Sequence, residues 1–275
     1  MKGNLPSNVD LTLDIGNSAA KGALFAGGEL ERAFTLGLDD PGTASVADWR
    51  RALSDALAGA RPQRAGLASV VPRATPRVQS ALRQTGGFAR LLRVRAGADL
   101  RLPFALAYRT PATLGADRLA AAAAAWTRYG EGSGFPVVVL DAGTALTGEA
   151  IRVGADGGGI YEGGAITAGP ALAARALSEG AAQLSPPSPA EAPPAPIGRT
   201  TEEALQSGLT HGFLGTARGL LRRLGEALSP PAPIVVATGG WGALLHERLS
   251  GVAHYDPHLV LRGTCALLQR NAEEP

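Results

Sequence analysis

The segment that most constrains the fold of this chain is residues 137–147, VVVLDAGTALT. Its first four residues are apolar and mostly β-branched, which predicts a buried strand. At Asp141 the composition changes to small and hydroxylated residues, which predicts a tight turn at the carboxyl end of that strand. Glycine lets a backbone approach an anion, threonine hydroxyls donate hydrogen bonds, and a carboxylate can hold a cation. The segment is therefore either a plain structural turn or a phosphate-binding loop.

The same plan occurs earlier, in residues 9–21, VDLTLDIGNSAAK, where Asp14 and Gly16 follow an alternating apolar strand. After each copy the sequence continues with a second strand, a glycine-containing turn and a third strand, without helical periodicity between them. Two β-meanders that open alike predict a duplicated domain whose two loops face one another across a cleft. Paired loops of this kind indicate a nucleotide-dependent kinase or phosphatase that lacks a P-loop.

Length and composition narrow the class of protein. A chain of 275 residues has room for two modest α/β domains. Its single cysteine, Cys265, excludes an internal disulfide and favours a reducing cytoplasm. No apolar run has the length of a membrane helix, and the first ten residues lack the apolar core of a signal peptide. With a formal charge of only +2 and scattered arginines, the sequence gives no reason to expect nucleic-acid binding.

Apolar spacing and turn residues predict the remaining elements. In chain order these are a helix over 41–58, a strand over 64–71, a helix over 75–84, a strand over 91–94, an extended segment over 101–111, helices beginning near 117, 170 and 200, a strand over 234–237 and a helix over 259–270. The proline-rich segment 185–196 is predicted to be a surface loop of polyproline character. We expect two domains, residues 1–112 and 113–275.

Three positions carry candidate chemistry. Asp117 lies at the start of an alanine-rich helix or one position inside it, so it is an N-cap or a first-turn acid favoured by the helix dipole, a role that is compatible with that of a general base. Arg118 can pair with Asp117 or hold an anionic substrate carboxylate. Apart from Lys2, Lys21 is the only lysine of the chain, which indicates either chance or a need for a compact ammonium in the first loop.

Seven segments, in this order, resemble the type III pantothenate kinase family: DIGNSAAK, YRTPATLGADR, DAGTALT, EGGAITAG, IGRTTEEALQSG, ATGG and YDPHLVLRG. The resemblance covers about residues 9–271, and the conjunction of the GADR segment with IGRTTEEALQSG is its specific part. It implies an α/β fold of duplicated ribonuclease-H-like domains, the actin-like ATPase fold shared by acetate and sugar kinases, heat-shock ATPases and actin.

The resemblance also implies an activity and its partners. The reaction would be the ATP-dependent phosphorylation of pantothenate to 4'-phosphopantothenate, the first step of coenzyme A biosynthesis, with Mg²⁺ and a monovalent cation, K⁺ or NH₄⁺. The protein would be a cytoplasmic homodimer with its active site near the dimer interface, and neither a nucleic acid nor a membrane is expected as a partner.

Site residues follow from the resemblance position by position. It implies that Asp117 is the proton acceptor, that Asp141 is the ligand of the monovalent cation, and that Thr144 contacts ATP in the second loop. The first ATP-phosphate loop would consist of Asp14, Ile15, Gly16, Asn17, Ser18, Ala19, Ala20 and Lys21. The pantothenate pocket would consist of Tyr108, Gly115, Ala116, Asp117, Arg118 and Thr201.

Four positions depart from the family pattern: Leu146 where threonine is frequent, Glu149 for aspartate, Ala168 for proline and Thr200 for asparagine. Leu146 and Glu149 are expected to affect ATP or cation affinity more than the occurrence of the chemistry. In addition, Thr200 and Glu203 predict a capping box. Two other functions stay open, a non-catalytic accessory factor for transcription and a kinase or phosphatase of the same superfamily that acts on another small molecule.

Overall fold

A computed structural model describes residues 9–85, 87–180 and 195–272 of the chain. They form two compact units, which we call the first unit (residues up to Arg128 together with those from His258 onward) and the second unit (Tyr129–Pro257). This division differs from the predicted boundary between residues 112 and 113. The alanine-rich helix and the last helix of the chain both belong to the first unit.

Up to residue 130 the elements are β1 (Val9–Ile15), β2 (Ala20–Ala26), β3 (Glu29–Thr35), α1 (Val46–Leu57), β4 (Arg64–Ser69), α2 (Ala74–Thr85), β5 (Arg90–Arg93), β6 (Phe104–Leu106), a 3₁₀ turn (Pro111–Thr113), α3 (Ala116–Ala125) and a π-helical turn (Trp126–Gly130). Thereafter they are β7 (Val137–Ala142), β8 (Ala145–Val153), β9 (Gly159–Ala168), α4 (Pro170–Gly180), α5 (Thr201–Leu228), β10 (Ile234–Thr238), α6 (Gly242–Arg248), β11 (His254–Tyr255) and α7 (Leu259–Arg270).

The two units share one strand order. The first unit has the order β3-β2-β1-β4-β5, and within the second unit the order is β9-β8-β7-β10-β11. In both, the first three strands are antiparallel neighbours and the fourth runs parallel to the first. The repeated meander and the duplication that it predicted are therefore confirmed in the topology.

One face of each sheet is covered by helices that bury large apolar side chains. In the first unit Leu11 and Leu13 of β1 pack in one core with Trp49 and Leu53 of α1, and all four are fully buried. In the second unit the corresponding core combines residues of β7 and β8 with Phe213 and Leu214 of α5, among others. This alternation leaves the other face of β1 to Asp10, Thr12 and Asp14, because side chains alternate along a strand.

The opposite face of the first unit's sheet is covered by α7, and α3 packs against α7. A Cβ at Gly66 would lie 2.8 Å from Thr264 Cγ2, so glycine lets α7 approach β4 closely. A Cβ at Gly263 would overlap the carbonyl group of Ala120, so the two helix backbones are in near contact. This packing buries the alanines of α3 and explains why α3 and α7 belong to the same unit.

Several boundaries differ from those predicted. The helix expected from residue 41 begins at Val46, because Ser45 and Asp48 form a capping box in which Asp48 N donates to Ser45 Oγ and Ser45 N donates to Asp48. The extended segment 101–111 contains the short strand β6, and neither α6 nor β11 was predicted. Most of the predicted proline-rich loop, residues 185–194, lies outside the described residues.

At the start of α5 the predicted capping box is half formed. Thr200 Oγ1 accepts a hydrogen bond from Glu203 N at 3.1 Å, as a capping box requires. The Glu203 carboxylate, however, accepts from Arg199 N at 2.6 Å instead of from Thr200 N. Within the described ranges, no helix combines the length and apolar character needed to cross a membrane.

Replacing Gly263 with alanine is expected to destabilise the protein by about 1–3 kcal/mol, because the added methyl group overlaps a backbone carbonyl that cannot move without separating α3 from α7. Urea unfolding measures this change. The matched control is Gly215→Ala in α5, where a Cβ meets nothing within 4 Å and the better helix propensity of alanine should stabilise by up to about 1 kcal/mol. Equal effects of the two substitutions would contradict the proposed packing.

Candidate active site

The first candidate loop joins β1 to β2. Asp14 lies at the second-last position of β1 and is directly opposite Lys21 in the antiparallel register. The turn is closed by a hydrogen bond from Gly16 N to the Ala19 carbonyl oxygen at 3.0 Å, and Asn17 and Ser18 are exposed at its tip. The loop thus presents a carboxylate, an ammonium and two polar side chains at one edge of the sheet.

Not every predicted member of this loop presents its side chain. Ile15 is fully buried and belongs to the apolar core, and Ala20 is 1% exposed in the same core. These two residues can contribute to phosphate binding only through their backbone groups.

Asp14 has an unusual electrostatic environment. Burial, and next the negative charge of Asp117, raise the pKa of the Asp14 carboxyl to about 7, although Lys21 acts in the opposite direction. Carboxylates that interact in this way tend not to be ionised together, so one of them is disposed to hold a proton near neutral pH. The fold therefore brings two carboxyl groups from distant parts of the first unit into one electrostatic site.

Asp117 is the second residue of α3, and Gly115 is the N-cap. Its Oδ1 accepts a hydrogen bond from the backbone N of Arg118 at 2.7 Å, so of the two structural alternatives the first-turn acid is the one observed. A Cβ at position 115 would lie 2.5 Å from Asp117 Oδ1, so only glycine leaves room for this carboxylate conformation. The helix N-terminus favours the charged form of a carboxylate placed there.

The next residue, Arg118, is buried to 7% exposure, and its guanidinium carbon lies 6.0 Å from the centroid of the Tyr108 ring. A cation over an aromatic face is attracted by the ring, and a planar guanidinium can bind a carboxylate through two hydrogen bonds. Ala116 is buried, so it can contact a ligand only through its backbone. Tyr108, Asp117 and Arg118, predicted together for one pocket, are therefore neighbours in the first unit.

The second candidate loop follows β7. Asp141 lies at the second-last position of β7, opposite Thr147 on β8 and beside the buried Thr238 on the parallel strand β10. Gly143 N donates to the Ala145 carbonyl oxygen at 2.9 Å, which closes the turn and leaves Thr144 exposed.

Two further segments hold this loop in place. Trp241 N donates to the carbonyl oxygen of Ala142 at 2.9 Å, and Gly169 N donates to that of Thr144 at 3.0 Å. Gly239 has φ +84°, and a Cβ there would lie 2.5 Å from both Asp141 Oδ1 and the Ala142 oxygen. Gly169 and Gly239 belong to the EGGAITAG and ATGG segments, and Trp241 directly follows ATGG, but none of the three is among the predicted site residues.

Thr201 is the exposed first residue of α5, next to the capping Thr200. Thr201, Asp141 and Thr144 thus all belong to the second unit, whereas Asp14, Lys21, Tyr108, Asp117 and Arg118 all belong to the first.

The departures Leu146 and Glu149 lie away from the second loop's surface. Leu146 is fully buried in the core beneath α5. Its side chain therefore packs in the core, whereas the sequence predicted an effect of this position on the second loop. Glu149 is also fully buried, and its carboxylate accepts a hydrogen bond from the Tyr161 hydroxyl. The extra methylene of glutamate is therefore accommodated inside the sheet.

Asp14→Asn is expected to stabilise the protein at pH 8 by about 2–4 kcal/mol, since each pKa unit corresponds to about 1.4 kcal/mol. The raised pKa means that the folded state binds more protons than the unfolded state, so this carboxyl's contribution to stability is present below about pH 4 and is lost as the pH rises through about 7. Asparagine does not titrate, so the gain should vanish at pH 4. Thermal unfolding across this range measures it, and the exposed Asp39→Asn is the charge-matched control. If the gain in stability from Asp14→Asn did not change with pH, the raised pKa of Asp14 would be refuted.

Comparison with known proteins adds a family. A family model described as type III pantothenate kinase matches residues 10–223. The type III pantothenate kinase of Thermomicrobium roseum is 35% identical over 265 residues, which cover 94% of this chain and 96% of the relative. That of Chlorobaculum parvum is 34% identical over 272 residues, covering 96% of each chain.

Two solved structures share the fold. A Campylobacter jejuni protein described as a Baf family transcriptional activator has a TM-score of 0.56 and 22% identity, covering 95% of this chain and 98% of its own. A ROK family glucokinase from Streptomyces griseus, solved with glucose and AMPPNP, has a TM-score of 0.53 and 13% identity, covering 96% of this chain and 100% of its own. At these identities the likeness concerns the fold alone, and it confirms the predicted actin-like ATPase class. From the family model and these relatives together, the chain belongs to the type III pantothenate kinase family.

Proposed function

We propose that this protein catalyses the ATP-dependent phosphorylation of pantothenate to 4'-phosphopantothenate, the first step of coenzyme A biosynthesis. The observation that carries the proposal is the neighbourhood of Asp117 in the first unit. The Asp117 carboxylate lies at the N-terminus of α3, where Gly115 leaves room for it. The adjacent Arg118 is buried, and Asp117 interacts electrostatically with Asp14. Asp117 can accept a proton and Arg118 can bind a carboxylate, which suits a substrate that has a primary hydroxyl and a carboxylate.

The proposed chemistry is a direct phosphoryl transfer. The primary hydroxyl oxygen of pantothenate attacks the γ-phosphorus of ATP, the new O–P bond forms, and the bond from phosphorus to the β–γ bridging oxygen breaks to release ADP. The hydroxyl proton passes to a carboxylate oxygen of Asp117. Such reactions need mostly positioning and charge stabilisation, so a single well-placed proton acceptor is sufficient.

The remaining predicted residues have binding roles in this proposal. Arg118, whose guanidinium lies over the ring of Tyr108, would bind the carboxylate of pantothenate. The turn after Asp14 offers Asn17, Ser18 and the Lys21 ammonium to phosphate oxygens, and the turn after Asp141 offers Thr144. Thr201, at the exposed start of α5, would contribute a hydroxyl to the pantothenate site.

Mg²⁺ would accompany the ATP phosphates and neutralise charge on them. Over the described residues, no group of three or more His, Cys, Asp or Glu side chains is arranged to hold a metal ion. Magnesium commonly takes one or two carboxylates together with phosphate and water ligands, so the absence of such a group is compatible with its use here. A monovalent cation beside Asp141 is the second part of the cofactor proposal.

Asp117→Asn is expected to lower kcat by about 10²–10⁴-fold, because the amide cannot accept the hydroxyl proton. The assay is ADP release that depends on added pantothenate, together with identification of the phosphorylated product. The fold should be retained, since asparagine can still accept the hydrogen bond from Arg118 N. Asp39→Asn, an exposed aspartate of the same unit, is the matched control. Undiminished turnover by Asp117→Asn would exclude this residue as the proton acceptor.

The wild-type assay also separates the alternative functions. A kinase for another small molecule would release ADP with its own substrate and not with pantothenate. A non-catalytic accessory factor would release none. The presence of Asp117, Arg118 and Tyr108 as neighbours favours the enzyme, because a regulator has no need of a proton acceptor beside a carboxylate-binding arginine.

We also propose that the protein is a homodimer. Apolar side chains of the second unit are exposed in the single chain, with Ile166 at 64%, Ile197 at 80%, and Leu172 and Leu177 of α4 above one third. Helix α4 buries only Pro170 among its described residues. Apolar surface of this kind favours burial against a second copy of the chain. The predicted cytoplasmic location stays a prediction.

If α4 contributes to the dimer interface, Leu172→Glu combined with Leu177→Glu should convert the protein to a monomer, because two charges would have to be buried at the interface. Light scattering after size-exclusion chromatography measures the mass. Arg175→Glu on the same helix is a control for the charge change alone. A dimer that survives the double substitution would place the interface elsewhere, and a monomeric wild type would refute the homodimer.

A further inference from the structure

A cavity of about 150 Å³ lies within the first unit, between the turn that joins β2 to β3, the π-helical turn that follows α3, and α7. Its polar lining consists of Thr127 and Arg128 from the π-helical turn and of Arg262 and Gln269 from α7. Among the described residues that line the cavity there is no carboxylate. Two guanidinium groups, a hydroxyl and an amide therefore border one small space.

This cavity lies apart from the candidate active site. The strand β2 runs from the turn after Asp14 to the turn that contains Gly28, and its seven residues separate the two turns by about 20 Å. The helix α3 has Asp117 in its first turn, whereas Ala124, which lines the cavity, lies about 10 Å further along the helix axis. Neither the first candidate loop nor the Asp117 carboxylate therefore belongs to this cavity.

Buried contacts hold the lining in place. Trp126, the first residue of the π-helical turn, is 1% exposed, so Thr127 and Arg128 extend from an anchored backbone. The side chain of Gln269 lies against Gly28, because a Cβ at position 28 would be 3.3 Å from Gln269 Oε1. Turns of π-helical geometry are rare and occur frequently at functional sites. The polar groups are thus presented by a preformed structure.

The charge of the lining is positive. Burial, and next the charge of Asp10, raise the pKa of the Cys265 thiol at this cavity to about 12, so the thiol is uncharged near neutral pH. Arg262, and Arg64, which pairs with Asp10, act on this pKa in the opposite direction. The C-terminal end of a helix such as α3 carries about half a negative charge, which the two full charges of Arg128 and Arg262 exceed.

We propose that this cavity binds a phosphate group, with the guanidinium groups of Arg128 and Arg262 as its main ligands and with Thr127 and Gln269 as further hydrogen-bonding partners. Both arginines have additional contacts within the protein, but a guanidinium has five N–H donors, so donors remain for phosphate oxygens. The volume suits a single phosphate group and is too small for a drug-sized ligand. The inference goes beyond the proposed function, because it concerns neither of the loops proposed for ATP.

The test is thermal unfolding of the full chain without ATP or pantothenate, with sodium phosphate titrated at constant ionic strength. Phosphate should raise the Tm of the wild type in a saturable way, because a ligand that binds only the folded state stabilises it. Arg128→Gln and Arg262→Gln should each raise the half-saturating phosphate concentration about tenfold or more, since each removes charged hydrogen bonds. Arg83→Gln, at an exposed arginine of α2, is the matched control and should respond like the wild type.

Phosphate could also bind to the first candidate loop, and Lys21→Gln separates the two places. The cavity site predicts that Lys21→Gln keeps the wild-type half-saturating concentration. A response that disappears in Lys21→Gln but survives in both arginine variants would assign phosphate to the loop and overturn the proposal. Phosphate also stabilises proteins in general through exclusion from their surface. A rise in Tm without saturation, equal in all variants, would be that general effect and would equally overturn the site.

Ala266→Leu tests the cavity without a change of charge. Ala266 is half-buried on α7 and lines the cavity, so a leucine there should fill the space and abolish the saturable response while both arginines remain. A wild-type response in a folded Ala266→Leu protein would place the phosphate elsewhere.

Titration of glycerol 3-phosphate and of acetate defines the ligand. Equal half-saturation by inorganic phosphate and glycerol 3-phosphate would show that the phosphate group alone is recognised, and tighter binding of glycerol 3-phosphate would identify a phosphate ester as the ligand. An equal effect of acetate would contradict a phosphate site. None of these measurements depends on ADP release, so a failure of the proposed function would leave the cavity site intact.

Discussion

The register of the first hairpin in each unit is the constraint on which the candidate site depends. In both units an aspartate stands at the second-last position of the first strand, and the pairing decides which residue it faces. A shift by one residue would turn the aspartate towards the apolar core. The alternating core residues Leu11 and Leu13, fully buried beneath α1 and α2, exclude such a shift in the first unit. The packing of the core thus fixes the chemistry of the sheet edge.

The second constraint on the structure is that three positions have no room for a side chain, because a neighbouring group lies close to the backbone there. Gly115 leaves room for the Asp117 carboxylate, Gly239 for that of Asp141, and Gly263 for the contact of α7 with α3. Each of these positions has a different neighbour, yet the physical reason is the same, because a methyl group would occupy space that a carboxylate or a carbonyl already holds. Conformational freedom of the backbone is required in addition at Gly239, whose φ is +84°.

The first unit keeps unfavourable electrostatics at its candidate site. Asp14 and Asp117 interact as like charges, and burial adds to the cost of ionising Asp14. Such an arrangement lowers the stability of the fold near neutral pH. It also places two carboxyl groups with different tendencies to hold a proton close to each other. Sites that transfer protons commonly depend on such differences between neighbouring carboxyl groups. The buried Asp10, on the same strand, is the contrasting case, because the partly exposed Arg64 donates two hydrogen bonds of 2.7 Å to its carboxylate.

The sequence by itself determined the strands that contain Asp14 and Asp141, the turns after them, the duplication and the alanine-rich helix with Asp117 in its first turn, because periodicity and turn chemistry are encoded within a few residues. The tertiary structure decided the interaction of Asp14 with Asp117, the packing of α7 against α3, the burial of Leu146 and Glu149, and the pairing of Asp141 with Thr147. Asp14 and the residue opposite it are seven positions apart, whereas Asp141 and the residue opposite it are six apart, so Thr147 and not Gly148 corresponds to Lys21. Contacts and registers of this kind depend on residues far apart in the chain, and local sequence patterns carry no information about them.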